Sequence, residues 1–206
     1  MSDKPGIILA GAGGHAMSCI DVIESQNKYQ IIGLTGKQEE IGNNILGYKV
    51  ISDDEGLGDL ARLHRNALVT IGQIKSAVLR KNVYSLLSKA GFHFPVIRSP
   101  FAYISPHATV GPGSIIMPGA IINSGVQIGS NCIINSGAVI EHGVSIGDFC
   151  HISTNTVING DVSIGCESFI GSGALIKEGL TIGTNSMVGM GVVVKASLSD
   201  QLIKIK

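Results

Sequence analysis

The chain has 206 residues, of which 44% are apolar, and its 15 Lys and Arg residues balance its 15 Asp and Glu residues. This composition supports a folded core, and the lack of a Lys/Arg cluster argues against nucleic acid as a partner. The polar start, Met1 to Lys4, runs into a short apolar strand with no signal peptide or membrane-length segment. The sequence therefore predicts a cytoplasmic protein that does not associate with a membrane.

The first predicted element is an apolar strand that enters a glycine-rich turn, and a helix follows from His15 to about Ser25. Gly11, Gly13 and Ala16 fit the spacing G-x-G-x-x-A. Glycines at this spacing allow backbone N–H groups to approach a phosphate at the start of a helix. The alternative is a tight strand-to-helix connection without a ligand.

The second predicted strand, Gln30 to Leu34, is followed by Thr35, Gly36 and Lys37. A dinucleotide-binding domain would place Asp or Glu there to hold a ribose. The sequence therefore disfavours NAD, and a nucleotide-linked substrate fits the first turn better.

Further elements complete a small α/β domain, which is Rossmann-like and spans residues 1–99. The predicted strands are Tyr48–Ile51, Ala67–Ile71 and Phe94–Ile97, and the predicted helices are Asp53–His64 and Ile74–Ala90.

From Ile104 to Val194, an aliphatic residue recurs at every sixth position through sixteen consecutive hexads. A second series of small or medium residues follows each of them by four positions. A period of six fits neither an α-helix nor a simple alternating strand. Each hexad therefore forms one flat side of a triangular coil, and residues 100–206 are predicted to form an all-β, left-handed parallel β-helix.

Stacking of such coils places residues eighteen apart one above the other, about 4.8 Å apart. Cys132 and Cys150 are such a pair, and we interpret them as core fillers, with all four cysteines as free thiols. A β-solenoid can also be only a scaffold or an ice-binding surface, but the external side chains form no regular Thr ladder.

Two histidines of the repeat are candidates for chemistry. His142, in I-E-H-G-V-S, falls at a corner, where a neighbouring subunit of a trimer could cover it. A neutral histidine there suits a general base that deprotonates a nucleophile attacking a thioester. His151 lies half a coil away and would meet His142 only across a subunit boundary. A zinc site that uses these two residues and His107 is a weak alternative.

The motifs G-A-G-G-H-A and I-E-H-G-V-S-I-G-D-F-C-H-I-S, together with the hexads, resemble the NeuD/PglD-type sugar O- and N-acyltransferases over nearly the whole chain. The resemblance implies a homotrimer, with acetyl-CoA in the groove between adjacent β-helices and a nucleotide-sugar that reaches the same groove from the N-terminal domain. No metal is implied.

Carried over by position, the resemblance assigns His142 as the catalytic base and places Asn135 and Glu141 near the acceptor. The positions that it implies for acetyl-CoA are His151, Gly160, Ser172 and Met190. Those that it implies for the nucleotide-sugar are Gly11, Gly13, Gly14, His15, Thr35 and Gly72.

The chain departs from the family pattern at three places. Gly143 stands where the family has Glu or Asp after the catalytic histidine. Either Glu141 or Asp148 takes the place of that acid, or His142 is a weaker base. Thr35 and Gly36 replace an acidic pair, so the identity of the nucleotide stays open. The C-terminal Gly-x-Pro-Ala segment of the family is absent.

The leading hypothesis is transfer of acetyl from acetyl-CoA to the 4-amino group of a nucleotide-linked deoxyamino sugar, in the synthesis of a surface polysaccharide or glycan; whether UDP or dTDP carries the sugar stays open. The alternatives are O-acetylation of a sialic acid-type sugar and a catalytically inactive nucleotide-sugar-binding or structural trimer.

Overall fold

The computed structural model describes residues 4–204, so most of the polar start and the last two residues of the C-terminal segment lie outside it. The described chain divides into two compact units. The first runs to Gly72 and continues with Val78–Ile97, and the second comprises Gln73–Ala77 and the chain from Arg98 onward.

The first unit is an α/β domain with a five-stranded sheet, parallel except for one edge hairpin. Its strands, in chain order, are β1 Gly6–Ala10, β2 Gln30–Thr35, β3 Asn44–Ile45, β4 Tyr48–Ser52 and β5 Asn66–Val69, and they are arranged in the order β3-β4-β2-β1-β5. Its helices are α1 Gly14–Gln26, α2 Leu57–Leu63 and α3 Val78–Ala90, with a short 3₁₀ helix at Gln38–Glu40. Because β1, β2 and β4 are parallel, their carboxyl ends meet at one edge of the sheet, where such folds bind ligands.

The predicted starts of α2 at Asp53 and of α3 at Ile74 are wrong. Asp53 Oδ1 accepts a hydrogen bond from the Glu55 backbone N–H at 3.1 Å, so the chain forms a turn there before α2 begins. Residues 74–77 have bent or irregular backbone, so α3 begins only at Val78. The predicted strand Phe94–Ile97 is also shifted, to Ile97–Arg98, because the bridge between Asn66 and His93 takes up the preceding backbone.

The second unit contains sixteen two-residue strands, each of which ends at an aliphatic residue of the predicted series. The strands are Tyr103–Ile104, Thr109–Val110, Ile115–Ile116, Ile121–Ile122, Gln127–Ile128, Ile133–Ile134, Val139–Ile140, Ser145–Ile146, His151–Ile152, Val157–Ile158, Ser163–Ile164, Phe169–Ile170, Leu175–Ile176, Thr181–Ile182, Met187–Val188 and Val193–Val194. Ile97–Arg98 precedes them and Ile203–Lys204 follows them. Residues eighteen apart pair in parallel, as Ile133 does with His151, so the predicted left-handed parallel β-helix is confirmed.

The second residue of each strand points inward and forms one continuous aliphatic core. At the corners, small side chains donate to carbonyl groups of the next coil. The thiols of Cys132 and Cys150 do so at 3.1 Å, to Gly147 O and Gly165 O respectively. All four cysteines are free, and the hydrogen bond with Cys132, with burial, raises the pKa of Cys150. Both thiols therefore act as buried donors within the core.

The first residue of each strand points outward, and the three faces differ in chemistry. The apolar face carries Tyr103, Ile121, Val139, Val157, Leu175 and Val193. The hydroxyl face carries Thr109, Gln127, Ser145, Ser163 and Thr181. The third face carries Ile115, Ile133, His151, Phe169 and Met187, of which the first three are buried. The hydroxyl face has Thr at only two positions, so it is not a regular Thr ladder.

Candidate functional site at the corners of the β-helix

His142 lies at the corner between the apolar face and the hydroxyl face, and its side chain is 69% exposed. Its Nδ1 atom is 3.9 Å from Glu141 Oε2. The same carboxylate oxygen accepts a hydrogen bond from Asn123 Nδ2 at 3.1 Å, one coil below. Glu141 is thus held beside an accessible imidazole, which is the arrangement that a general base needs.

Gly143 has left-handed backbone, a conformation that Asp161, one coil above it, also adopts. Gly143 has φ of +70°, and a Cβ atom at this position would lie 2.2 Å from Asp161 Oδ1. A side chain there would be strained by the positive φ, and the Asp161 carboxylate would have to move aside. Asp148 is engaged at another corner, where its Oδ1 accepts from the Ser130 N–H at 2.7 Å. Of the two predicted substitutes, Glu141 is therefore the one that lies beside His142.

Gly160 lies one coil above His142 and leaves room for its ring. A Cβ atom at position 160 would be 2.7 Å from His142 Nε2, and the three atoms nearest to it would all belong to the His142 ring. The neighbouring residues of this column, Ser124 and Glu178, carry side chains, so the coil itself does not require glycine. The missing side chain therefore serves the position of the imidazole.

His151, on the third face, has a different environment, because its ring is buried and both of its nitrogens have partners. Nδ1 lies 2.6 Å from the backbone oxygen of Gln73, and Nε2 lies 3.3 Å from Asn135 Nδ2. A carbonyl oxygen can only accept, so Nδ1 carries the proton and Nε2 accepts from Asn135. Asn135 Oδ1 in turn accepts from the Ser136 N–H at 2.8 Å. The orientations of both side chains are fixed by this network.

The predicted acyl-CoA and acceptor positions fall on two corners, one on each side of the apolar face. Glu141, His142 and Gly160 lie at one corner. Asn135, Ser172 and Met190 lie at the other, where Ser172 Oγ is 2.8 Å from Ser153 Oγ and Met190 is largely exposed. A single chain does not bring the two groups together, and the acetyl-CoA contacts of His151, Gly160, Ser172 and Met190 remain predictions.

In the first unit, the glycine-rich turn leads directly into α1. Gly13 caps this helix without any side-chain hydrogen bond, and neither Gly13 nor Gly14 would meet an atom within 4 Å if it carried a Cβ. Gly72 lies beside the predicted His15, since a Cβ on Gly72 would be 3.6 Å from the His15 Cβ. The start of α1 is thus an open helix N-terminus, which suits an anion.

A cavity of about 370 Å³ lies at the carboxyl edge of this sheet. Gly11 and Thr35 line it, as predicted site residues, together with the apolar Ile71, Leu79 and Val83. Its acidic lining, which the sequence did not predict, consists of Glu40, Asp53, Asp54 and Glu55. These residues follow β4 or lie on the 3₁₀ helix, outside the segment that was inspected for a ribose-binding acid.

Glu40 compensates in part for the missing acidic pair after β2. Its Oε2 accepts a hydrogen bond from the Lys37 N–H at 2.8 Å. The same oxygen lies 2.6 Å from the place where a Cβ of residue 36 would stand. Because residue 36 is glycine, the Glu40 carboxylate can lie beside its backbone.

Within residues 4–204, no three His, Cys, Asp or Glu side chains gather in a way that could hold a metal ion. The helices of this part of the chain are too short or too polar to cross a membrane.

Two families match the chain by sequence. Residues 6–87 match the PglD N-terminal domain, and residues 107–142, 125–160 and 161–196 match the bacterial transferase hexapeptide (six repeats). No curated protein matches the chain by sequence.

Solved structures match over almost the entire chain. PerB from Caulobacter crescentus, solved with CoA and GDP-perosamine, is 31% identical, with a TM-score of 0.90 over 98% of this chain and 94% of that one. The acetyltransferase domain of PglB from Neisseria gonorrhoeae, solved with acetyl coenzyme A, is 26% identical, with a TM-score of 0.89 over 97% of this chain and 95% of that one. WeeI from Acinetobacter baumannii is 25% identical, with a TM-score of 0.84 over 97% and 96%.

One assignment fits the order of the two domains, the uninterrupted hexads and the 31% identity to PerB over nearly the full length of both proteins. The chain belongs to the NeuD/PglD-type family of acetyl-CoA-dependent sugar acyltransferases.

Proposed function

We propose that the protein transfers acetyl from acetyl-CoA to the 4-amino group of a nucleotide-linked deoxyamino sugar, with His142 as the general base. The observation that carries this proposal is the His142 corner, where an exposed imidazole has a carboxylate at 3.9 Å from Nδ1 and a glycine beside Nε2. The matched perosamine N-acetyltransferase, which was solved with CoA and GDP-perosamine, supports an amino sugar as the acceptor.

In the proposed reaction, His142 Nε2 removes a proton from the amine as its nitrogen attacks the thioester carbonyl carbon. The tetrahedral intermediate then collapses, the C–S bond breaks, and the CoA sulfur leaves with the proton held by the imidazole. Glu141 stabilises the imidazolium that exists between these steps, and Gly160 leaves room for the ring that carries the proton. The amide and free CoA are the products.

The nucleotide part of the acceptor fits the first unit. The cavity at the sheet edge offers apolar side chains to a base, and its carboxylates can accept hydrogen bonds from ribose hydroxyls or base N–H groups. Four acidic residues and one cation, Lys37, line this cavity, so its net charge is unfavourable for phosphates, which suit the start of α1 at Gly13–His15 instead.

A homotrimer completes the proposed site. The apolar face exposes Tyr103, Ile121, Leu175 and Val193, and no charged residue lies among its outward side chains. A second copy on this face would cover exposed apolar surface. It would also bring the His142 corner of one subunit toward the Asn135 corner of another. These two corners lie on opposite sides of this face in each chain.

The test is release of CoA thiol from acetyl-CoA with a panel of UDP-, dTDP- and GDP-linked 4-amino sugars and free sialic acid. We expect one nucleotide-linked amino sugar to be acetylated, and the product to resist alkaline hydrolysis as an amide does. An alkali-labile product would indicate an ester and favour O-acetylation instead. Turnover of none of these acceptors, with tight binding of one, would contradict the proposed activity.

A further inference from the structure

The cations of the β-helix are few, and they lie together. Between Ser99 and Ile203 the sequence has only two Lys or Arg residues, Lys177 and Lys195. They are eighteen residues apart, and the Lys177 N–H donates to Val194 O at 3.0 Å, so they lie on consecutive coils. Stacking on consecutive coils puts their backbones about 4.8 Å apart.

Two like charges on neighbouring coils repel each other, so this arrangement does not stabilise the isolated chain. Both side chains border a cavity of about 350 Å³ that Asn159, Leu175, Glu178 and Val193 also line. The cavity thus combines two ammonium groups and one carboxylate, a net positive charge, with apolar side chains at the edge of the apolar face. An elongated ligand with a charged end and a less polar arm has matching chemistry.

The position of the two lysines relative to His142 follows from the repeat. Glu141, Asn159, Lys177 and Lys195 occupy one column at successive coils, at the corner that carries His142. Lys177 is therefore about 10 Å from Glu141 along the helix axis, and Lys195 about 14 Å. The imidazole lies toward Gly160, which is in the direction of the lysines.

We propose that Lys177 and Lys195 bind phosphate groups of CoA, whose acyl arm runs along this corner to its thioester at His142. Leu175 and Val193, on the same coils as the two lysines, line the cavity beside the phosphates. This inference rests on the proposed function for the position of the thioester. It assigns a phosphate-binding site to residues that the resemblance did not name.

The diphosphate of the nucleotide-sugar is a second source of the same chemistry, and kinetics separate the two. We expect the variant carrying both Lys177→Gln and Lys195→Gln to raise the KM for acetyl-CoA by about tenfold or more, with kcat and the KM for the sugar unchanged. Lys28→Gln, an exposed lysine of the first unit, is the matched control. A rise only in the KM for the nucleotide-sugar would overturn the assignment to CoA.

Direct binding keeps this inference separate from the proposed activity. Calorimetry with CoA on the intact protein needs no turnover, so weaker CoA binding in the double variant supports the phosphate site even if no acceptor is acetylated. Increasing salt should weaken CoA binding to the wild type more than to the variant. Equal affinity of the wild type and the double variant for CoA refutes the proposal.

Discussion

His142 and His151 lie nine residues apart in the same repeat, but their surroundings differ in every respect that matters for proton transfer. His142 is 69% exposed, and its Nδ1 lies 3.9 Å from Glu141 Oε2. His151 is 8% exposed, and its two ring nitrogens face Gln73 O and Asn135 Nδ2. Two histidines in the same repeat can therefore have different roles, because one ring is exposed and the other is buried and hydrogen-bonded. An accessible nitrogen suits a base, whereas two satisfied nitrogens suit a positioning role.

The largest effect is expected from separating the subunits that would join the two corners. Val157→Asp places a charge in the middle of the apolar face, which a second copy would bury at high cost. We expect light scattering to show monomers and acetyl transfer to be lost. Ser163→Asp, at the equivalent outward position on the hydroxyl face, is the control and should leave both unchanged. A fully active Val157→Asp trimer would show that subunits associate elsewhere.

Replacement of the exposed histidine should be the next largest effect. We expect His142→Asn to lower kcat by about two to four orders of magnitude, because a positioned base is removed. Its melting temperature should stay that of the wild type, since the side chain is exposed. His107→Asn, at a corner of the first coil, is the control and should retain full activity. If His142→Asn keeps the kcat of the wild type, a group other than His142 removes the proton from the amine.

The space over Gly160 provides a test of geometry alone. Gly160→Ala would put a methyl group 2.7 Å from His142 Nε2, and the exposed ring can rotate away at little cost in stability. We expect kcat to fall by about 10²-fold, because a displacement of about 1 Å of a catalytic group has that effect. Gly58→Ala, where a Cβ meets no atom within 4 Å, is the matched control. An unaffected rate would mean that the imidazole acts from another position.

The buried histidine should matter first for stability. His151→Phe keeps a ring against Phe169, 5.2 Å away between centroids, but removes both hydrogen bonds. We expect a loss of about 1–3 kcal/mol in the free energy of unfolding, since Gln73 O and the Asn135 amide lose their partner. Phe169→Leu, which removes the ring contact and keeps both hydrogen bonds, is the comparison variant. Chemical denaturation measures both, and equal stability of His151→Phe and wild type would show that the network contributes nothing.

The sequence predicted the β-helix residue by residue but the α/β unit only approximately. Each hexad repeats the same backbone, so inward and outward positions and the pairing of residues eighteen apart follow from counting. The starts of α2 and α3 depend on single interactions, such as the Asp53 turn, that leave no periodic signal. The acidic lining of the cavity was missed for the same reason, since Glu40 and Asp53 come from different elements.

By itself, the sequence determined the fold of residues 104–194, the family and the corner position of His142, because these depend on local period and on motifs. Only the tertiary structure decided that Glu141 rather than Asp148 lies beside His142, and that Asp161 occupies the space above Gly143. It also decided that His151 is bound to Gln73, 78 residues earlier in the chain. Such contacts join segments with no regular spacing, and the packing of side chains across coils and loops selects among them.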